Sequence, residues 1–125
     1  MSKAPKIYVC KHCGRIVGDI HDGGTLVCCG EPMTEMIPNT VDAAKEKHVP
    51  VTTLTGNKLE VNVGSVDHPM TAEHLIEWIM VFQDGHTQRV QLEAGCKPSV
   101  SVCVNPAGGP VEVFAYCNLH GLWKA

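Results

Sequence analysis

Beyond residue 48, apolar and polar side chains alternate with a period of two. Leu59, Val61 and Val63 alternate with Glu60 and Asn62. Val100, Val102 and Val104 alternate with Ser101 and Cys103, and Val111, Val113 and Ala115 with Glu112, Phe114 and Tyr116. Successive side chains of a strand point to opposite faces, so each segment predicts a strand with one face on a core. His48–Leu54, Leu75–Phe82 and His86–Glu93 are further candidates. Thr55-Gly56-Asn57, Asp84-Gly85, Asn105-Pro106 and Gly108-Gly109-Pro110 supply turn chemistry between them. This spacing predicts an all-β fold, an immunoglobulin-like seven-stranded antiparallel β-sandwich. Residues 41–47 fit a helical turn or an ordered loop. Cys117 and His120 fall at the end of the last predicted strand.

Before residue 38 the cysteines carry the pattern. Cys10 and Cys13 form a C-x-x-C followed by Gly14, and the adjacent Cys28 and Cys29 are followed by Gly30. Glycine permits the positive φ that a metal knuckle needs. Asp22-Gly23-Gly24 predicts a hairpin turn between the two pairs. About 36 residues bury too little apolar surface to fold alone, so a metal is the expected staple. A tetrahedral S₄ set suits Zn²⁺ or a single iron, and spacing does not choose between them. Structural zinc is the commoner use. Adjacent ligands must splay, which distorts the tetrahedron and points the other way, to a redox metal. His12 and His21 read as solvent-facing.

Composition narrows the class. The 125 residues carry a formal net charge of −3 with a pI near 6.1, which argues against a nucleic-acid-binding or polybasic membrane surface. No apolar run approaches the roughly 20 residues that span a bilayer. The N-terminus lacks a signal-peptide pattern, so a cytoplasmic location is expected. Thiols stay reduced there, and seven cysteines with seven histidines then suggest metal or redox chemistry. A division near Ile37-Pro38-Asn39-Thr40 predicts two domains: 1–37, a small unit stapled by metal on its four cysteines, and 38–125, the sandwich. The second holds His48, His68, His74, His86, Cys96, Cys103, Cys117 and His120. One soft thiolate with several imidazoles is a transition-metal set.

These motifs together resemble a known family. YVCKHCG and LVCCGEPM resemble the desulforedoxin-like N-terminal domain of the desulfoferrodoxins. EKHVP, GSVDHPMTAEHLIEWI and YCNLHGLWK resemble the iron-binding signatures of the superoxide reductase domain. The resemblance runs in family order over almost the whole chain. It implies two iron ions per chain: a rubredoxin-type iron on Cys10, Cys13, Cys28 and Cys29, and a second with His48, His68, His74 and His120 in a plane and Cys117 axial. It implies that Glu46 matches the carboxylate that ligates the oxidised second iron, and Lys47 the lysine beside the substrate. The implied activity is one-electron reduction of superoxide to hydrogen peroxide, with a rubredoxin-like donor and a homodimeric assembly. His86, Cys96 and Cys103 lie outside the motifs. His86 reads as a surface residue, the two cysteines as small buried or half-buried ones. A pure electron-transfer protein or a zinc-stabilised interaction module would not need the second ligand set.

Overall fold

The computed structural model describes residues 3–125. Met1 and Ser2, the start of the first expected domain, lie outside the described residues. Two short hairpins open the chain. β1 (Lys6–Val9) pairs antiparallel with β2 (Ile16–Asp19), and β3 (Val27–Cys28) pairs with β4 (Glu31–Pro32). β5 (Thr34–Glu35) adds to the free side of β1, giving the order β2-β1-β5. Each cysteine pair therefore sits at the turn of its own hairpin. Asp22-Gly23-Gly24 does not close a hairpin, contrary to the sequence expectation. It lies in the irregular crossing from β2 to β3, and these two strands do not pair.

The segment after Ile37 is stapled to the far end of the chain. Asn39 donates its backbone N–H to Leu122 and its side-chain amide to the Lys124 carbonyl. Its side-chain oxygen accepts from the Lys124 N–H. One helical turn, α1 (Lys45–His48), follows, and then β6 (Pro50–Thr55), β7 (Lys58–Val63), β8 (Ile76–Gln83), β9 (His86–Gln91), β10 (Ser99–Cys103), β11 (Glu112–Cys117) and β12 (Gly121–Lys124). The strand predicted over His48–Leu54 starts later, because residues 45–48 close a helical turn with Val49 N–H on Lys45 O. The strand β12 is an addition to the expected set. It is four residues long, too short for alternation to show, and pairs with β11 across the turn that carries His120.

These strands form a three-stranded sheet, β10-β7-β6, and a four-stranded sheet, β12-β11-β8-β9. The constant-type immunoglobulin sandwich places its fourth strand with the first two. Here the fourth sandwich strand, β9, stays beside the third. Leu59, Val61 and Val63 of β7 face Ile79 and Val81 of β8 and Val113, Ala115 and Cys117 of β11 in the inter-sheet core. Glu60 and Asn62 face outward, as the alternation predicts.

β8, with the sequence IEWIMVFQ, does not alternate and is buried nearly throughout. Both its faces are covered. Ile79 and Val81 enter the inter-sheet core, while Trp78 and Met80 join Ile7, Phe114 and Leu122 in a second cluster on the outer face. Ile7 belongs to β1, so the N-terminal sheet roofs the sandwich. Met36 N–H on Ile7 O fastens the end of that roof.

Ile7 is the N-terminal contribution to the core of this cluster and is 6 % exposed. Ile7→Ala is expected to cost about 2–4 kcal/mol, from lost burial plus the cavity left behind. Chemical denaturation of the metal-loaded protein measures it. A loss under about 0.5 kcal/mol would mean that the roof contributes little to stability.

Candidate metal centres

The two cysteine hairpins close on each other. Cys10, Cys13, Cys28 and Cys29 offer sulfurs that all lie within 4.8 Å of one another, with Cys13 Sγ and Cys28 Sγ 3.6 Å apart. The first knuckle is a tight turn: Gly14 N–H donates to Cys10 O and Cys10 N–H to Arg15 O. The second shows how adjacent residues can both be ligands. Cys29 itself takes a left-handed backbone, φ +54°, ahead of Gly30 at +78°. That reversal turns two consecutive side chains toward one point, a conformation that costs a non-glycine residue free energy.

The four sulfurs cannot all be thiolates unaided. The Cys13 N–H, with help from His12 N–H and neighbouring thiols, lowers the Cys10 pKa to about 6. The Cys13 thiol, then that of Cys10, pushes Cys28 up and drives Cys29 to about 12. With Cys10 ionised first, Cys28 and Cys29 resist, chiefly through hydrogen bonding with the neighbouring thiols and in smaller part through the Cys10 charge. A cation at the centre removes the conflict, so the donor set fits a thiophilic metal. His12 is exposed and pairs with Glu31 at 2.9 Å, and His21 is exposed too. Neither joins the sulfur group.

The second cluster forms at one end of the sandwich, from four separate segments. His48 ends α1, His68 follows β7, His74 precedes β8, and Cys117 and His120 flank the β11–β12 turn. The imidazoles make a closed ring. Neighbouring centroids are 4.7 Å (His48–His68), 4.6 Å (His68–His74), 5.3 Å (His74–His120) and 4.9 Å (His120–His48) apart, while His48 and His74 stand 6.4 Å apart across it. Neighbouring rings are near perpendicular, at 74–87°. The Cys117 sulfur lies 3.9 Å from His120 Nδ1. Donor atoms of His48, His74, Cys117 and His120 all lie within 4.8 Å of one another. His68 is outside that tightest group but keeps Nε2 3.3 Å from His48 Nε2.

The tautomers follow from the backbone. His48 Nδ1 donates to Ala44 O at 2.6 Å, and His68 Nδ1 to Pro69 O at 2.7 Å. Each ring is thereby left with a lone pair on Nε2. Those two lone pairs face each other at 3.3 Å, with no proton between them. His74 Nε2 is buried with no partner among the described residues. His120 turns Nδ1 inward, 3.1 Å from His48 Nε2. Burial lowers the pKa of His48 and His74, and takes His68 to about 4, so these imidazoles are neutral near pH 7. Burial pushes the Cys117 thiol up, against the pull of the Leu119 and His120 N–H groups. Neutral imidazoles with convergent lone pairs and one buried sulfur fit a transition-metal ion.

Glu46 and Lys47 are exposed on the same helical turn as His48. The Glu46 carboxylate is not part of the ligand group. The Lys47 charge is felt at both His48 and His74, where it disfavours protonation. His86 is exposed, as expected. Cys96 and Cys103 are exposed free thiols rather than buried or half-buried ones. Cys103 ends β10 with its side chain on the outer face, and Cys96 lies in the loop after β9.

Two supporting residues escape a reading by ligand chemistry. The Asn118 side chain accepts Leu75 N–H and donates to Glu73 O, tying the Cys117–His120 turn to the segment around His74. The Thr71 hydroxyl accepts His74 N–H and donates to His74 O. Asn118 had one signal: it lies inside the C-x-x-H spacing.

Two family models match the chain: "Desulfoferrodoxin, N-terminal domain" over residues 2–36 and "Desulfoferrodoxin" over residues 40–125. A desulfoferrodoxin of Syntrophotalea carbinolica is 48 % identical over 126 residues, covering 100 % of this chain and 98 % of that one. The crystal structure of the superoxide reductase from Treponema pallidum superposes with a TM-score of 0.78 at 32 % identity, covering 99 % of each chain. A one-iron superoxide reductase from Giardia intestinalis aligns with 65 % of this chain and 96 % of its own, at TM-score 0.58 and 34 % identity. Two cysteine knuckles closing on one point and an imidazole ring at the end of a sandwich thus fall within the stretches that these models and relatives match, and the chain belongs to the desulfoferrodoxin family.

Proposed function

We propose that this chain is a superoxide reductase: each superoxide takes one electron and two protons and leaves as hydrogen peroxide. The observation that carries the reading is the closed imidazole ring, with its lone pairs facing inward beside the Cys117 sulfur. An electron-transfer protein working through four cysteines has no use for this second set. The structural neighbours named superoxide reductases support the reading.

His48, His68 and His74 would hold iron through Nε2, His120 through Nδ1 and Cys117 through Sγ. Iron held there would supply the one-electron chemistry. The chain's own residues do the rest. Cys117 is fully buried, which disfavours its thiolate unless a cation lies beside it, and a thiolate so paired would lend electron density to that cation. The carbonyls of Ala44 and Pro69 fix two rings and keep their donor nitrogens deprotonated. Lys47 places a positive charge next to His48 and His74 on a chain of net charge −3. It draws in a small anion and orders water for the two protons. The Glu46 carboxylate, one residue away, would be the added ligand of the oxidised iron.

The reading also assigns a second iron to Cys10, Cys13, Cys28 and Cys29. It divides the chain into domains 1–37 and 38–125. Its partners are a rubredoxin-like electron donor and a second copy of the chain, in the cytoplasm. No helix among the described residues is long and apolar enough to cross a membrane.

Iron content and visible spectra test the metal assignment. Two irons per chain are expected, with a sulfur-to-iron band that appears on oxidation and vanishes in Cys117→Ser, while the four-cysteine spectrum persists. A band that survives Cys117→Ser would remove that sulfur from the site. In pulse kinetics, Lys47→Ala is expected to slow superoxide capture about tenfold at low ionic strength and to flatten its salt dependence. An unchanged rate and slope would leave Lys47 a solvated surface charge.

A further inference from the structure

The turn that follows β7 touches the histidine cluster from two directions. Gly64 is buried, with φ +89°. A Cβ at this position would collide with Val66 O, and would stand 2.6 Å from Glu46 O and 2.8 Å from Lys47 Cα. All three are backbone atoms, so no flexible side chain can swing aside. α1 can lie on this turn only because residue 64 has no side chain.

Hydrogen bonds hold the contact on both sides. Val66 N–H donates to Glu46 O at 2.9 Å, and the Ser65 hydroxyl donates to the same oxygen at 3.4 Å. His68 N–H donates to Val63 O at 3.2 Å. The Asn62 amide donates to Gly64 O at 2.9 Å and to Asp67 Oδ1 at 3.0 Å. The segment from Gly64 to His68 is therefore a clip. Its first half grips the helical turn that ends in His48, and its last residue is His68. The 3.3 Å separation of the two Nε2 atoms is set across this clip.

We propose that Gly64 is a positioning residue of the His/Cys centre. It fixes the His48–His68 edge of the imidazole ring and the aim of Glu46 and Lys47, and Asn62 locks the clip closed. This inference rests on reading the cluster as a metal centre. An alanine at 64 must push Glu46 and Lys47 away by several tenths of an ångström, and such sites tolerate displacements of only about 0.5 Å.

A matched control is available within the chain. Gly95 has φ +88° and open space where its Cβ would go. Gly64→Ala and Gly95→Ala therefore carry the same left-handed strain, and only the first carries the collision. The full chain is loaded with iron(II), and release to a competing chelator is followed at the Cys117 sulfur-to-iron band after oxidation. Gly64→Ala is expected to bind iron at this centre on the order of 10–100-fold more weakly, with the band displaced. Gly95→Ala keeps the parent's affinity and band, and the four-cysteine spectrum is unchanged in both. Asn62→Ala weakens binding in the same direction by a smaller factor, and decides the matter if Gly64→Ala does not fold. Parent-like affinity and band in folded Gly64→Ala, or equal losses in both glycine variants, would overturn the proposal. So would parent-like behaviour of Asn62→Ala where Gly64→Ala fails to fold. A parent that binds iron here and leaves superoxide unreduced would overturn the reductase reading, not this one.

Discussion

Two imidazole lone pairs aimed at each other across 3.3 Å set the terms for this end of the molecule. The Ala44 and Pro69 carbonyls have already taken the Nδ1 protons of His48 and His68. Neither ring can relieve the repulsion by changing tautomer without giving up a short hydrogen bond. Protonation is opposed as well, because burial disfavours the charged form at His48, His68 and His74. A bound cation is the remaining solution, and it converts the repulsion into ligation. The fold holds the donors in place before the metal arrives, which lowers the ordering cost of binding.

That preorganisation draws on elements far apart in sequence. α1, the turn after β7, the segment before β8 and the β11–β12 turn each contribute, and each is tied to another by backbone or amide hydrogen bonds. Gly64 and the Val66 N–H join the first two and Asn118 the last two, while Asn62 and Thr71 brace the second and third from within. The register shift between β8 and β11 falls at Tyr116 and Cys117. It places Ile76, Ile79 and Cys117 on the core side and leaves Trp78 and Tyr116 stacked on the other face, rings 15° from parallel. A bulge beside a functional side chain re-aims it at modest cost to the ladder.

The alternating strands are legible in the sequence because each has one buried face. β8 can be recognised as a strand but not as an alternating one, since its second face lies under the N-terminal sheet, a contact that no local pattern records. β12 escapes detection because four residues beginning with glycine show no period, and its order comes from pairing with β11 and from Asn39. Asp22-Gly23-Gly24 has hairpin chemistry, yet the hairpins form at the cysteines, where the chain must reverse to gather sulfurs. The candidate ligands stand out through residue type and motif. Gly64, Asn62, Thr71 and Asn118 do not, since their roles depend on which backbone atoms lie across from them. The expectation that Cys96 and Cys103 are buried or half-buried fails because it rests on the usual habit of free cysteine, whereas here both lie exposed among the described residues.

The two centres differ in what surrounds their donors. Of the four N-terminal cysteines only Cys10 is buried, while Cys13 and Cys29 are exposed. That centre is held by two hairpins whose strands are four residues or fewer, so its order depends on the metal and on the Ile7 contact with the sandwich. The second centre is carried by a continuous core, and Cys117, His48 and His68 are all nearly inaccessible. On the proposed reading, a solvated sulfur set on short hairpins would change charge with little penalty from burial. A buried imidazole ring beside an exposed Glu46-Lys47 turn offers one face to water and keeps the others dry. The proposed small-anion chemistry would use that asymmetry: a charged mouth to gather substrate and a fixed, water-poor floor to hold a metal.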